Sequence, residues 1–297
     1  MKTSQRPPWM EAPSKAGLAI KGVVIAVVCL LVLYPFVNIV ATSLAGESEI
    51  TRRGGIIPLF PSQPTLAAYK TIFAGGVVSH ALLVSAGITV IGTALNLVVT
   101  IALAYGLSRP IVGGRFVLTA VLFTMLFGAG IIPNFLLVKA LGLYDSYASL
   151  IVPGLVSAFN FLVLRNFFQN IPAELLDSAR IDGAGDLAIL LRIVLPLSKA
   201  VLAVVALFYA VGHWNAFFNA LLYLSDTGKW PLPLVLRRYV LQGQPVGGAS
   251  ESPGEAVASI QAVQMAVVVV ALVPILCVYP FLQRYFTKGV LTGAIKG

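Results

Sequence analysis

Residues 22–45 form an unbroken run of 24 residues without a charged side chain. At ~1.5 Å per helical residue such a run crosses the ~30 Å hydrocarbon layer of a bilayer. Lys2, Arg6, Lys15 and Lys21 precede it, as they would a secretory leader. The core of a cleaved leader has only about 7–15 apolar residues, so this run is read as a retained span. Comparable runs recur along the chain. Six spans are placed at 18–45, within 71–108, and at 116–138, 147–164, 200–224 and 257–282. Only 10% of the residues are charged and 58% are hydrophobic, where a soluble domain has ~25% charged residues. A surface that apolar has no stable arrangement in water. The expected fold is an all-α integral membrane protein, because a helix satisfies its own backbone hydrogen bonds inside lipid. Pro133 is expected to kink the third span or mark its end. Arg165 is expected to close the fourth.

An even number of spans puts both ends of the chain on one side. Thirteen of the twenty Lys and Arg residues fall on that side and seven on the other. Basic residues stay preferentially in the cytoplasm, so the reading is a multi-pass protein of the bacterial cytoplasmic (inner) membrane with N- and C-termini cytoplasmic. The segments are a cytoplasmic tail 1–17, a first transmembrane helix 18–45, an extracytoplasmic loop 46–70, a core 71–284 and a cytoplasmic tail 285–297. A second outer loop, 225–256, has a Gly/Pro/Ser-rich part at 243–254. The net charge of +9 follows from the cytoplasmic loops, and no nucleic-acid partner is called for. Cys29 and Cys277 lie in apolar runs and read as packing residues.

Between the fourth and fifth spans, residues 171–196 carry Glu174, Asp177, Asp182 and Asp186 beside Arg180 and Arg192. Pro172 followed by Glu174 fits a helix start. The helix should fade at Asp182-Gly183-Ala184-Gly185, where glycine allows a left-handed turn. A second short helix should run from Asp186 to Arg192. Leu175, Leu176 and Ala179 give the first helix an apolar face. A charged cytoplasmic loop in a protein otherwise made of spans is a docking surface for something soluble.

Asp177-Ser178-Ala179, Gly183 and Ile193-Val194-Leu195-Pro196 stand at the spacing EAA-x3-G-x9-I-x-L-P. This resembles the EAA signature of ABC importer permeases. Five of the seven defined positions match; Asp177 replaces the usual Glu and Ser178 the usual Ala. Gly130-Ile131-Ile132-Pro133, Leu141-Gly142-Leu143, Arg165-Asn166-Phe167-Phe168, His213-Trp214-Asn215 and Tyr279-Pro280-Phe281-Leu282-Gln283 resemble the carbohydrate-uptake subgroup (MalG-like, LplC-type). The resemblance implies a type I importer (MetI-like) permease fold with six transmembrane helices and cytoplasmic coupling helices. Its implied partners are a second homologous permease, two ATPase subunits, an extracytoplasmic solute-binding protein and membrane lipid. The implied ATPase-coupling residues are Glu174, Asp177, Ser178, Ala179, Asp182, Gly183, Ala184, Leu195 and Pro196. The implied cargo is an oligosaccharide, with acidic fragments such as those of alginate or pectin compatible.

The chain has no G-x-x-x-x-G-K-[ST] phosphate loop, so no catalytic residue, metal or cofactor is assigned to it. ATP and Mg would be bound by partner ATPase subunits. Gly183-Ala184-Gly185-Asp186-Leu187-Ala188 matches a dinucleotide pattern formally, but no strand precedes it. Polar side chains inside spans are costly and therefore informative. Asn160, His213, Trp214, Asn215, Asn219 and Tyr223 are the candidate substrate path. The last four and His213 are read as one aromatic–amide stripe down the fifth span, suited to sugar hydroxyls and C–H faces. The rival reading is an ion-coupled secondary carrier, which usually needs an intramembrane acid; none of the six runs holds one. A non-transporting scaffold is a third, and it would not need the loop.

Overall fold

The computed structural model describes residues 14–54, 60–242 and 259–293. The first 13 residues of the N-terminal tail, the 243–254 stretch and the final residues 294–297 lie outside them. The chain divides into two compact units, residues 1–71 with 251–269 and residues 72–250 with 270–297.

The first unit contains α1 (Lys15–Ser43), α2 (Glu47–Arg52) and the start of α3 (Ala67–Ala74). The Ser14 side chain caps α1 by accepting from Gly17 N at 3.0 Å. Apolar residues cover every face of α1 and stay exposed through most of its length; Leu30 is 68% exposed. An all-round apolar helix is a lipid-facing span. The loop after α1 holds α2 and the start of α3. Glu49 is buried and accepts from Ser62 N at 2.9 Å and Ser62 Oγ at 3.0 Å, and pairs with Arg53 at 3.1 Å. The donation from Ser62 N holds the Glu49 carboxyl below its usual range.

The second unit is built on α4 (Val77–Leu107). Its buried residues are Val78, Ala81, Ser85, Ile88, Gly92, Asn96, Thr100, Ala104 and Leu107, each three or four positions from the last. That is one helical stripe. Most of its members are small, which lets neighbouring helices approach closely in a membrane protein. The neighbours on α4 are α8 (Ala158–Gln169), α12 (Lys199–Trp214) and α14 (Leu232–Gln242).

Four expected elements differ. The 116–138 span is two helices, α5 (Gly114–Leu126) and α6 (Ile131–Ala140). Gly130 at φ +84 separates them, and Pro133 stands in the first turn of α6, where a missing N–H has no intrahelical partner to lose. The fourth span does not close at Arg165. It starts with α7 (Ala148–Ile151), tightens through a 3-10 turn at Val152–Gly154, and bends 50° into α8, which continues to Gln169. The fifth span breaks between α12 and α13 (Phe217–Tyr223). Phe217 N bonds Asn215 O at 2.7 Å around Ala216 (φ −71°, ψ 63°), an inverse γ-turn. The sixth, α15 (Ile260–Gly293), continues past residue 282. The 225–256 loop also holds α14, whose Leu232 N donates to the buried Ser85 Oγ of α4 at 2.7 Å.

Three helices are long and apolar enough to cross a bilayer alone: α1, α4 and the Ile260–Val278 part of α15. Two bent pairs, α7–α8 and the segment 186–197 with α12, bring the number to as many as five by length and composition, and α5 and α6 are shorter apolar helices. The architecture is all-helical with several apolar helices, and no strand occurs among the described residues.

Candidate functional site

Two regions carry the candidate residues. The first is the loop 171–196. Ile171 is buried and Pro172 caps α9 (Ala173–Ile181), with Glu174 in its first turn. No residue of α9 is buried, so the helix lies on the surface. Its C-terminus has two crossed backbone bonds: Ala184 N to Ala179 O at 2.9 Å and Gly183 N to Arg180 O at 3.0 Å. This pattern is a Schellman motif with Gly183 at φ +82. The A-x3-G spacing therefore has a local cause. Ala179 supplies the carbonyl that ends the helix, and Gly183 takes the left-handed conformation that aims Ala184 N–H at it.

Ala179 and Ala184 also pack, with Leu176, against a core of Phe161, Leu164, Phe168, Ile189, Val194 and Val205. The expected apolar face thus divides. Leu176 and Ala179 turn inward, and Leu175 stays exposed. The apolar surface open to a partner includes Ile181 at 86% and Leu187 at 68% exposure, residues that the sequence reading did not single out. Glu174, Asp177, Ser178 and Asp182 are all exposed. Asp177 Oδ1 accepts from Arg180 Nη1 at 2.8 Å, and Ser178 Oγ donates to Leu175 O at 3.2 Å.

The second half of the loop is one continuous helical arm rather than a single helix to Arg192. α10 (Asp186–Ile189) widens into a π turn at Leu190–Val194 and re-tightens as α11 (Leu195–Leu197). Proline at 196 cannot donate to the carbonyl one turn back, which a widened turn accommodates. At the buried Ser198 the chain bends 85° into α12. Ser198 Oγ donates to Val194 O at 2.6 Å and secures the corner. The start of the arm is braced to α4. Arg109 pairs with Asp186, Tyr105 OH donates to Asp186 O at 3.1 Å, and the Arg109 guanidinium lies 4.1 Å from the Tyr105 ring centroid. The Arg109 hydrogen bond holds the Asp186 carboxyl below its usual range. Sequence spacing carries no sign of this brace, because its members are 77 residues apart.

The second region is an open cavity of about 470 Å³ between α4, the α7–α8 bend and α12–α13. Of the six candidate path residues it brings together Asn160, His213 and Asn219. Trp214 is buried elsewhere and its Nε1 donates to Ala271 O at 3.3 Å. Tyr223 stacks on Phe135, with centroids 6.3 Å apart. Asn215 donates back to Val211 O at 2.9 Å. The single stripe is therefore corrected: the break at 215–216 puts its two halves on different helices.

Asn96, Ser157 and Tyr209 complete the polar lining. Asn96 Nδ2 donates to Gly154 O at 2.9 Å, and His213 Nε2 lies 3.4 Å from Asn96 Oδ1. Tyr209 OH shares a 2.7 Å bond with Thr100 Oγ1 and accepts from Ser157 N at 3.0 Å. Phe159 and Phe208, exposed by 52% and 45%, pair at 6.0 Å beside this lining. A Cβ on Gly92 would come within 2.6 Å of His213 Nε2, so glycine gives the imidazole its place. No aspartate, glutamate, lysine or arginine lines the cavity. Amide, hydroxyl and imidazole groups beside exposed rings suit an uncharged polyol face or a sugar ring.

Comparison with known proteins bears on both regions. The family model for the binding-protein-dependent transport system inner membrane component matches residues 84–292. The chain is similar to the polygalacturonan/rhamnogalacturonan transport system permease protein YtcP of Bacillus subtilis, at 46% identity over 92% of this chain and 94% of that protein. It is likewise 46% identical to the protein LplC of the same organism, over 90% of each. Among solved structures it resembles one chain of a bacterial ABC transporter involved in the import of the acidic polysaccharide alginate. That likeness has TM-score 0.87 and 30% identity, and covers 93% of this chain and all of that one.

Proposed function

The chain belongs to the binding-protein-dependent transport system inner membrane components, and from that premise we propose that it is a permease subunit importing acidic oligosaccharides. Transport of polygalacturonan/rhamnogalacturonan by one relative and of alginate by the structural neighbour supports the substrate class, since each is a uronate-bearing polymer. In this reading the cavity at Asn96, Asn160, Tyr209, His213 and Asn219 takes up hydroxyls and ring faces on the way across. An extracytoplasmic solute-binding protein delivers the cargo, and a second homologous permease closes the cavity's open side. Two ATPase subunits bind ATP and Mg on the cytoplasmic side, where both termini of this chain also lie. Family membership sets aside the ion-coupled carrier.

The observation that carries the coupling role is α9, an exposed helix ended by a Schellman turn and joined through a rigid arm to α12. Glu174 and Asp177 face solvent with Leu175 and Ile181, a mixed acidic and apolar surface for a cleft on an ATPase. Reversing a charge at a buried contact costs on the order of 2–5 kcal/mol. Asp177→Lys is expected to release the ATPase subunits, and Asp177→Glu, the residue usual at this position, to retain them. The test is ATPase retention on the purified complex together with uptake of oligogalacturonate against a neutral oligosaccharide of equal length. Full retention in Asp177→Lys defeats the docking role, and equal uptake of both sugars defeats the substrate class.

A further inference from the structure

A second cavity, of about 510 Å³, lies where α4 ends and α5 begins, walled by the start of α5 and by α8. Arg109, Arg115 and Arg165 all line it, and no acid does. Three guanidinia around one space repel each other unless an anion sits among them. Their protein partners leave much of that charge open. Arg165 Nε donates to Leu107 O at 2.8 Å and Nη1 to Gln169 Oε1 at 3.1 Å, both neutral acceptors. Arg109 is matched to Asp186 through Nη1 and donates from Nη2 to Tyr105 OH, while its buried Nε has no hydrogen-bond partner. Arg115 is exposed and has no ion pair among the described residues.

The apolar surroundings select the source of the anion. Val112 is 106% exposed, Phe116 79% and Ile111 50%, so a chain of exposed apolar side chains adjoins the cationic cavity. A soluble anion has no use for those neighbours, whereas acyl chains cover them. We propose that this cavity binds the phosphate headgroup of an acidic membrane phospholipid, with Arg115 as the principal cation and Arg165 and Arg109 completing the cradle. The inference rests on α4 and α5 meeting the membrane surface here and is independent of the sugar transported. An occupied site would hold the α4–α5 turn beside the Arg109–Asp186 brace, so lipid charge would bear on the arm behind α9.

The test uses the full-length chain, with the subunits that co-purify, in nanodiscs of phosphatidylcholine and phosphatidylglycerol. Native mass spectrometry reads the retained lipid. Wild type is expected to retain phosphatidylglycerol preferentially. Arg115→Gln should lower its retention about fivefold, the usual worth of one basic residue at an anionic surface. Arg115→Lys should lower it less, and Lys139→Gln at the far end of α6 not at all. Arg115 makes no ion pair here, so its loss leaves the fold intact. Unchanged retention in Arg115→Gln, or an equal fall in Lys139→Gln, overturns the site. Displacement of the lipid by millimolar inorganic phosphate would assign it to a free anion instead. Release of ATPase subunits from Arg115→Gln with lipid retention unchanged would assign it to an acidic protein segment.

Discussion

Two glycines are constrained for different reasons. At Gly183 a Cβ would meet no atom within 4 Å, so the constraint is the backbone alone, at φ +82. Gly183→Val is expected to cost about 1–3 kcal/mol of local strain and to loosen α9. Gly183→Asn, which tolerates the left-handed region, should be mild. Hydrogen-exchange protection of the Ala184 amide separates the two, and equal protection in both variants would refute the backbone explanation. At Gly92 the constraint is space. Gly92→Ala has to displace the His213 ring, and sugar uptake is expected to fall severalfold with the complex still assembled. Unaltered uptake would remove His213 from the path. The first glycine was legible in the sequence because a helix cap is settled by neighbours within five positions. The second was not, because the ring it accommodates is 121 residues away.

Among elements, the apolar runs announced where the chain is fit for lipid but not where each run breaks. An inverse γ-turn at Ala216 or a 3-10 turn around Pro153 leaves mean hydropathy untouched. Periodicity therefore reads straight through it. The same limit hid the tie between the α6–α7 connection and the segment after α13. Asp145, at φ +57, accepts at one carboxyl oxygen from Ser225 N and Asp226 N, each at 3.0 Å. Its other oxygen meets Lys229 Nζ at 2.8 Å. The Lys229 hydrogen bond, followed by that of Asp226 N, lowers the Asp145 pKa from 3.8 to about 2. A depressed carboxyl stabilises the folded form above its unfolded value, and the benefit disappears as pH falls from about 4 to about 2. Lys229 is shifted upward by the Asp145 hydrogen bond, so its contribution holds below 10.5 and is lost as pH rises beyond it. Protection factors of the Ser225 and Asp226 amides should drop across the acid window in wild type. In Asp145→Asn they should be low already at neutral pH, and a flat wild-type profile from pH 4 to 2 would contradict the tie.

For the whole molecule, orientation rests on the uneven distribution of Lys and Arg. Cysteines introduced at Asp186 and Thr227 should label from opposite faces of sealed vesicles, the first from the cytoplasmic side. Labelling from one face would overturn the six-span path. The family signature and the length of the apolar runs made the class legible, since each depends on local sequence. Residues that meet across the fold, such as Asn96 with His213 or Arg109 with Asp186, depend on helix packing that no local pattern encodes. One feature of that packing has a mechanical result. The arm 186–197 meets α12 at 85° through the buried Ser198, and α12, about 24 Å long, carries Tyr209 and His213 along its far half. A stiff right-angled joint is a bell crank. When the short limb is pushed crosswise to its own axis, the long limb swings about the corner, and side chains farthest from Ser198 sweep the widest arc. A push of a few ångströms on the arm is thus largest where the imidazole and phenol stand, while Lys199 beside the pivot barely moves.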